Sequence, residues 1–250
     1  MILLKSPDEI LKLRESNRVV AVVLEELKRR IKPGVLTREL DELAEQLLKK
    51  QGALPAFKNY RGYKNTICAS VNEQVVHGIP SKRKLKEGDI LSIDIGALKG
   101  GYYGDCAVTV GVGEVSEAAE RLMRVGRQAL AEAIAQARVG NHLYDISRAI
   151  QLHAEGHGYS VVRKYVGHGI GRSLHEDPQV PNFVEPEMGP GPLLESGLTL
   201  AIEPMLNEGK GDVKELSDRW TVVTADGKLS AHFEHTVAIT GDGSQVLSLP

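Results

Sequence analysis

The strongest constraint on this 250-residue chain is that it states one pattern twice. Ser6-Pro7-Asp8-Glu9 is a capping box with proline at the first helical position. The apolar residues Val20, Leu24, Leu27 and Ile31 follow at helical spacing until Pro33-Gly34. A second helix is predicted from about Thr37, with Leu40, Leu43 and Leu47 on one stripe, ending near Gly52. Ser116 opens the same pattern again. One helix runs to about Gly140, and another from about Tyr144 carries Ile146 and Ile150 toward Gly158. At a fixed offset Arg18, Val19, Leu24, Glu26, Gly34 and Gly52 fall on Arg124, Val125, Leu130, Glu132, Gly140 and Gly158. Each helical pair precedes a His-Gly-Ile, at His77 and at His168, and each then leads to an apolar strand ending in an acid, Asp94 or Glu203. A further acidic strand closes each half, starting at Asp105 in one and at Glu234 in the other. The repeat predicts an α+β fold of two helix-helix-strand-strand halves, approximately residues 6–111 and 116–241, packed about a pseudo-twofold axis in one domain spanning 1–250.

The duplicated acids are out of place in ordinary strands. Asp94 sits between Ile93 and Ile95, where an uncompensated carboxylate costs several kcal/mol or changes its protonation state. Residues at i and i±2 share a strand face, so Ser92 and Gly96 accompany Asp94, and Ala107 and Thr109 accompany Asp105. Thr199 and Ala201 accompany Glu203, and Thr236 and Ala238 accompany Glu234. The opposite faces carry Ile93, Ile95, Val108, Val110, Leu200, Ile202, Val237 and Ile239, ready to pack against helices. Four carboxylates lining one roomy face repel strongly and need protons or cations. Two divalent cations would neutralise them. His168, set among glycines in VGHGIGRSLHEDP, is the candidate nitrogen ligand. A satisfied core histidine is its other reading. Oxygen ligands with one imidazole suit manganese, iron, cobalt or zinc.

Composition narrows the class. A formal charge of -2 with no basic stripe gives no reason to expect a specific nucleic-acid partner. No apolar run reaches the length of a bilayer span, and acids at Asp8 and Glu9 interrupt what would be a signal peptide, so a cytoplasmic protein without membrane contact is expected. Cys68 and Cys106 lack a CxxC spacing and are expected to be reduced; nothing beside them supports a nucleophilic thiol.

The ordered series IDIGA, YYGDCAVT, GHGIGRSLHEDP, LAIEPM and FEHTVAIT resembles the type 1 methionine aminopeptidases of the pita-bread fold, over nearly the whole chain. The resemblance implies an antiparallel sheet covered by helices and two divalent metals, cobalt, manganese, iron or zinc, held by Asp94, Asp105, His168, Glu203 and Glu234. It implies that Glu203 also serves as general acid and base for a water activated between the metals, with His175 stabilising the oxyanion and His77 engaging the peptide nitrogen. For His77, pairing with an acid elsewhere stays open. The substrate implied is the N-terminal methionine of nascent proteins, followed by a small residue, handled by a monomer with transient ribosome contact.

FKNYRGYKNTIC, residues 57 to 68, concentrates aromatics in a chain with only 4% of them, so it reads either as an apolar binding loop or as core. By resemblance, Tyr60, Tyr63, Cys68, His77 and Trp220 line the methionine slot, while Phe57 and Leu174 depart from the family's usual cysteine and phenylalanine. Residues 176 to 192 read as a long loop. Among rivals, a prolidase or Xaa-Pro aminopeptidase relative shares the ligands but carries an extra amino-terminal domain, whereas the first helix here begins at Ser6. A type 2 methionine aminopeptidase carries an insertion for which His175 to Glu203 leaves no room. A non-catalytic ribosome-associated binding protein would tolerate lost ligands, and none is lost.

Overall fold

The computed structural model describes residues Met1–Pro250. Helices α1 (Pro7–Arg30) and α2 (Thr37–Lys50) precede the first group of strands, and α3 (Glu117–Gln136) and α4 (Leu143–Gly156) precede the second. The predicted capping box is present, Ser6 Oγ accepting from the Glu9 amide at 3.3 Å and the Glu9 carboxylate from the Ser6 amide at 3.0 Å. Glu39 caps α2 by accepting from the Leu36 amide, and Asp145 caps α4 by accepting from the His142 amide, each at 2.8 Å. Gly34 and Gly140 turn with φ of +94° and +90° and donate to Leu85 and Leu194, so the repeat is one of hydrogen bonds as well as letters.

A nine-stranded sheet joins the halves. Its path runs Leu54–Pro55, Ile90–Lys99, Tyr102–Gly111, Glu234–Thr240, Thr199–Ile202, Gly167–Gly169 and Glu176–Val180; Ile67–Val71 pairs with the second of these and Gly243–Val246 with the fourth. All its pairings are antiparallel, and the seam between Tyr102–Gly111 and Glu234–Thr240 lies where the pseudo-twofold axis is expected. The helices cover one face. Ile93 and Ile95 pack under α1 and α2, and Leu200, Ile202, Val237 and Ile239 under α3 and α4. Each such side chain removed from water contributes about 1.5–3 kcal/mol. No helix is long and apolar enough to cross a membrane.

Three boundaries differ from the sequence reading. The Asp105 strand begins at Tyr102, because Gly100 and Gly101, with φ of +59° and +81°, close a two-residue hairpin turn that pairs Lys99 with Tyr102. Helix α3 stops at Gln136, short of Gly140, as Ala137 leaves helical geometry. Residues 176 to 192 are not wholly loop. Glu176–Val180 forms the outermost strand and Pro186–Met188 a short 3-10 turn. Pro178 suits an edge strand, where one side has no ladder to complete.

Candidate metal centre and substrate slot

Register brings the acids together. Ala107 pairs with Asp94 on one neighbouring strand and with Glu234 on the other. Pairing of His235 with Ile202 brings Glu203, the next residue, level with Glu234. In the adjoining row Asp105 pairs with Gly96, and His168 pairs with Ala201. The small residues predicted beside each acid thus leave the space that the carboxylates enclose. Asp94, Asp105, His168, Glu203 and Glu234 all line one cavity of about 380 Å³.

Its electrostatics are those of a cation site. Asp94 Oδ1, Asp105 Oδ1 and Glu234 Oε1 are buried without a hydrogen-bond partner, an arrangement native proteins rarely tolerate unless another group completes it. Asp105, His168 and Glu234 offer ligand atoms within 4.8 Å of one another. His168 Nε2 lies 3.9 Å from Asp105 Oδ2 and 3.7 Å from Glu203 Oε1. Its Nδ1 faces the Gly169 carbonyl at 2.9 Å, which requires a proton there and leaves the Nε2 lone pair toward the acids. Burial raises the pKa of Asp94 to about 7, a rise that His232 opposes and Glu203 adds to. Burial likewise raises Glu203 to about 7, against the opposing effect of His168. Asp105 and Glu234 are pushed well above the carboxylate range, by burial first and by neighbouring carboxylates second. The donor set of four carboxylates and one imidazole fits divalent cations.

The two other predicted histidines flank the acids. His77 holds a left-handed φ of +58°, uncommon for a residue with a side chain, and its ring meets Tyr165 and Trp220 edge-on. Burial lowers its pKa to about 4. His175 stands at the solvent-facing rim, stacked on Tyr60 with Nδ1 2.8 Å from the Tyr60 hydroxyl. The surrounding protein, then His168 and Arg61, lower its pKa to about 3, so both imidazoles are neutral at pH 7.

Beside the acids is an apolar slot. Phe57, Tyr63, Cys68, Ile170 and Leu174 form one buried cluster, with Tyr60 and Trp220 packed against it. Tyr63 donates to the Ile67 carbonyl and meets Trp220 edge-to-face at 4.9 Å. The slot walls are tight: a Cβ at Gly96 would come within 2.7 Å of the Phe57 ring. Both cysteines are free and buried. Burial raises both thiols, Cys106 to about 12, so neither is a thiolate near neutrality. Cys106 also turns away from the cavity, its Sγ reaching the Glu234 carbonyl at 3.0 Å.

The sequence reading missed His232. It is 2% exposed and its Nε2 lies 3.4 Å from Glu203 Oε2. Its place two residues before Glu234 was the available signal, although Phe233 separates the two strands that carry them.

Fold and site together define a metallopeptidase, and the chain belongs to metallopeptidase family M24, whose model matches residues 11–241. Its relatives are narrower in kind. It is 53% identical to methionine aminopeptidase 1 of Bacillus subtilis, covering 99% of both chains, and 51% identical to a methionine aminopeptidase of Clostridium perfringens, covering 100% of this chain and 99% of that one. The crystal structure of methionine aminopeptidase from Thermotoga maritima superposes with a TM-score of 0.97 at 49% identity over 100% of both chains. Prolidase from Pyrococcus furiosus shares the fold alone, with a TM-score of 0.79 at 22% identity, covering 99% of this chain and 65% of that one.

Proposed function

We infer that the protein is a methionine aminopeptidase, hydrolysing the first peptide bond of nascent proteins that begin with methionine and a small residue. The observation that carries this is the apolar slot of Phe57, Tyr63, Cys68, Leu174 and Trp220 lying beside the acid cluster in one cavity. An unbranched thioether fills such a slot well.

Asp94, Asp105, His168, Glu203 and Glu234 would hold two divalent ions, four carboxylates balancing two double charges. When bound, the ions supply Lewis-acid polarisation of water and of the scissile carbonyl. Glu203, lining the cavity beside the slot, accepts the proton of the attacking water and returns it to the leaving amine. His175 is oriented by Tyr60 and donates to the oxygen of the carbonyl as charge develops there. His77, neutral and fixed between Tyr165 and Trp220, contacts the peptide nitrogen. The slot aligns the substrate, and its aromatic walls exclude water.

Every one of these groups comes from a single chain, which supports action as a monomer. A nascent-chain substrate places the work in the cytoplasm with passing contact at the ribosome, and the buried free cysteines suit a reducing compartment. The test is a peptide assay with Met-Ala-Ser and with Ala-Pro substrates, first under chelator and then with manganese, cobalt, iron and zinc restored one at a time. Methionine release under at least one metal, with none under chelator, is expected. Cleavage of the Ala-Pro substrate alone, or of neither, would refute the reading.

A further inference from the structure

We propose that His232 is a positioning residue of the metal centre, its Nε2–H holding one oxygen of Glu203 so that the other is presented beside His168. This rests on the reading of Glu203 as a ligand. Glu203 divides its two oxygens between two imidazoles: Oε1 is 3.7 Å from His168 Nε2, and Oε2 is 3.4 Å from His232 Nε2. His232 Nε2 is buried and makes no hydrogen bond, its 3.4 Å approach to Glu203 Oε2 being the nearest acidic contact. A slight turn of the ring would bring its Nε2–H into line with that oxygen and complete a hydrogen bond. Carboxylate ligands are commonly oriented by such donors, and loss of the donor typically lowers metal affinity 10–100-fold.

The same strands that carry the acids fix the ring's position. The His232 amide donates to Thr109 Oγ1 at 2.9 Å, and that hydroxyl donates back to the His232 carbonyl at 2.8 Å. Thr109 Oγ1 also meets Ser92 Oγ at 2.8 Å. Ser92 shares a strand with Asp94 and Thr109 one with Asp105, so the His232 backbone is latched to the strands of both first-half acids while its ring reaches a second-half acid. The backbone thus anchors the residue across the seam, and the imidazole is what reaches Glu203.

The experiment is calorimetric titration of metal-free protein with Mn²⁺ for the parent, His232→Gln, His232→Asn and His232→Leu, with chelator-state melting curves as the folding control. Gln places an N–H near the position of Nε2, whereas Asn is too short and Leu has no donor. Affinity in the Gln variant is expected within about 3-fold of the parent, and about 10–100-fold weaker in the Asn and Leu variants. At saturating metal the Asn and Leu variants should lose kcat on Met-Ala-Ser with little change in KM. Should Leu fail to fold, the Gln and Asn pair still decides. Parent-like Mn²⁺ affinity in Asn or Leu, or equal weakening in Gln and Asn, overturns the proposal. Because the readout is metal binding, a protein that binds Mn²⁺ but cleaves nothing would fail the functional assignment and leave this comparison intact.

Discussion

Ala107 pairs with Glu234 directly across the seam between the two halves of the sheet, and only a methyl group extends from that position. Asp94 flanks Ala107 on its other side, so a larger side chain at this position would enter the space between two proposed ligands. Ala107→Leu is therefore expected to abolish methionine release and to weaken Mn²⁺ binding at least about 100-fold, while overpacking costs about 1–3 kcal/mol of stability. Calorimetric titration and urea unfolding of metal-free protein measure the two effects separately. Undiminished Mn²⁺ affinity would show that cations do not occupy this face.

Asp105→Asn tests the charge argument. Asp105 Oδ1 is buried without a partner, and neighbouring carboxylates add to the burial that raises its pKa. The variant should lose turnover by at least about 100-fold through loss of a ligand to the cations, yet its metal-free form should melt at or above the parent temperature, since a neutral amide removes the cost of holding a buried carboxyl protonated beside its neighbours. A metal-free variant less stable than the parent would contradict this account of the cluster.

Metal removal should destabilise the parent. A ligand that binds only the folded state adds RT ln(1 + [L]/Kd), about 2.7 kcal/mol at a free concentration 100 times Kd. Calorimetric scans with chelator and with graded Mn²⁺ should move the melting temperature upward continuously, and the Asp105→Asn variant should respond less. Melting that ignores Mn²⁺ in the parent is the contrary result.

Acid sensitivity should have a component far from the cavity. The Ser6 amide and then the Tyr102 hydroxyl, both donating to Glu9, hold its pKa at about 2, below the ordinary 4.5. A depressed carboxyl stabilises the fold above the unfolded value and loses that contribution as pH falls toward 2. Glu9→Gln should therefore lower stability near pH 6 but flatten its decline between pH 4.5 and pH 2, by under about 1 kcal/mol because the half-buried Glu9 side chain is still reached by solvent. Parallel curves for parent and variant in urea unfolding across that range would exclude the contribution.

The slot offers a separate test. Gly96 admits the Phe57 ring at a distance no Cβ allows, so Gly96→Val should displace the ring and raise KM for Met-Ala-Ser about 10-fold, a loss of roughly 1.4 kcal/mol in binding. A KM that does not move would detach Phe57 from substrate binding.

Much of this molecule is written locally. Alternation in ILSIDIG fixes which face of the strand Asp94 occupies, and the Ser6 to Glu9 box fixes where α1 begins, because both depend on contacts within a few residues. The matched spacing of Gly34 with Gly52 and of Gly140 with Gly158 made the duplication readable, and the motifs around the five proposed ligands carried the family. The strand at Glu176–Val180 was hidden because an edge position, known only from the assembled sheet, is what makes Pro178 acceptable in it. Tertiary structure alone decided that Ala107 stands between Asp94 and Glu234, that Glu203 divides its oxygens between His168 and His232, and that a slot opens beside them. Those relations depend on strand register and on residues brought together from distant parts of the chain, Ala107 and Glu234 across the seam and Glu203 and His232 within the second half, and no local propensity encodes either.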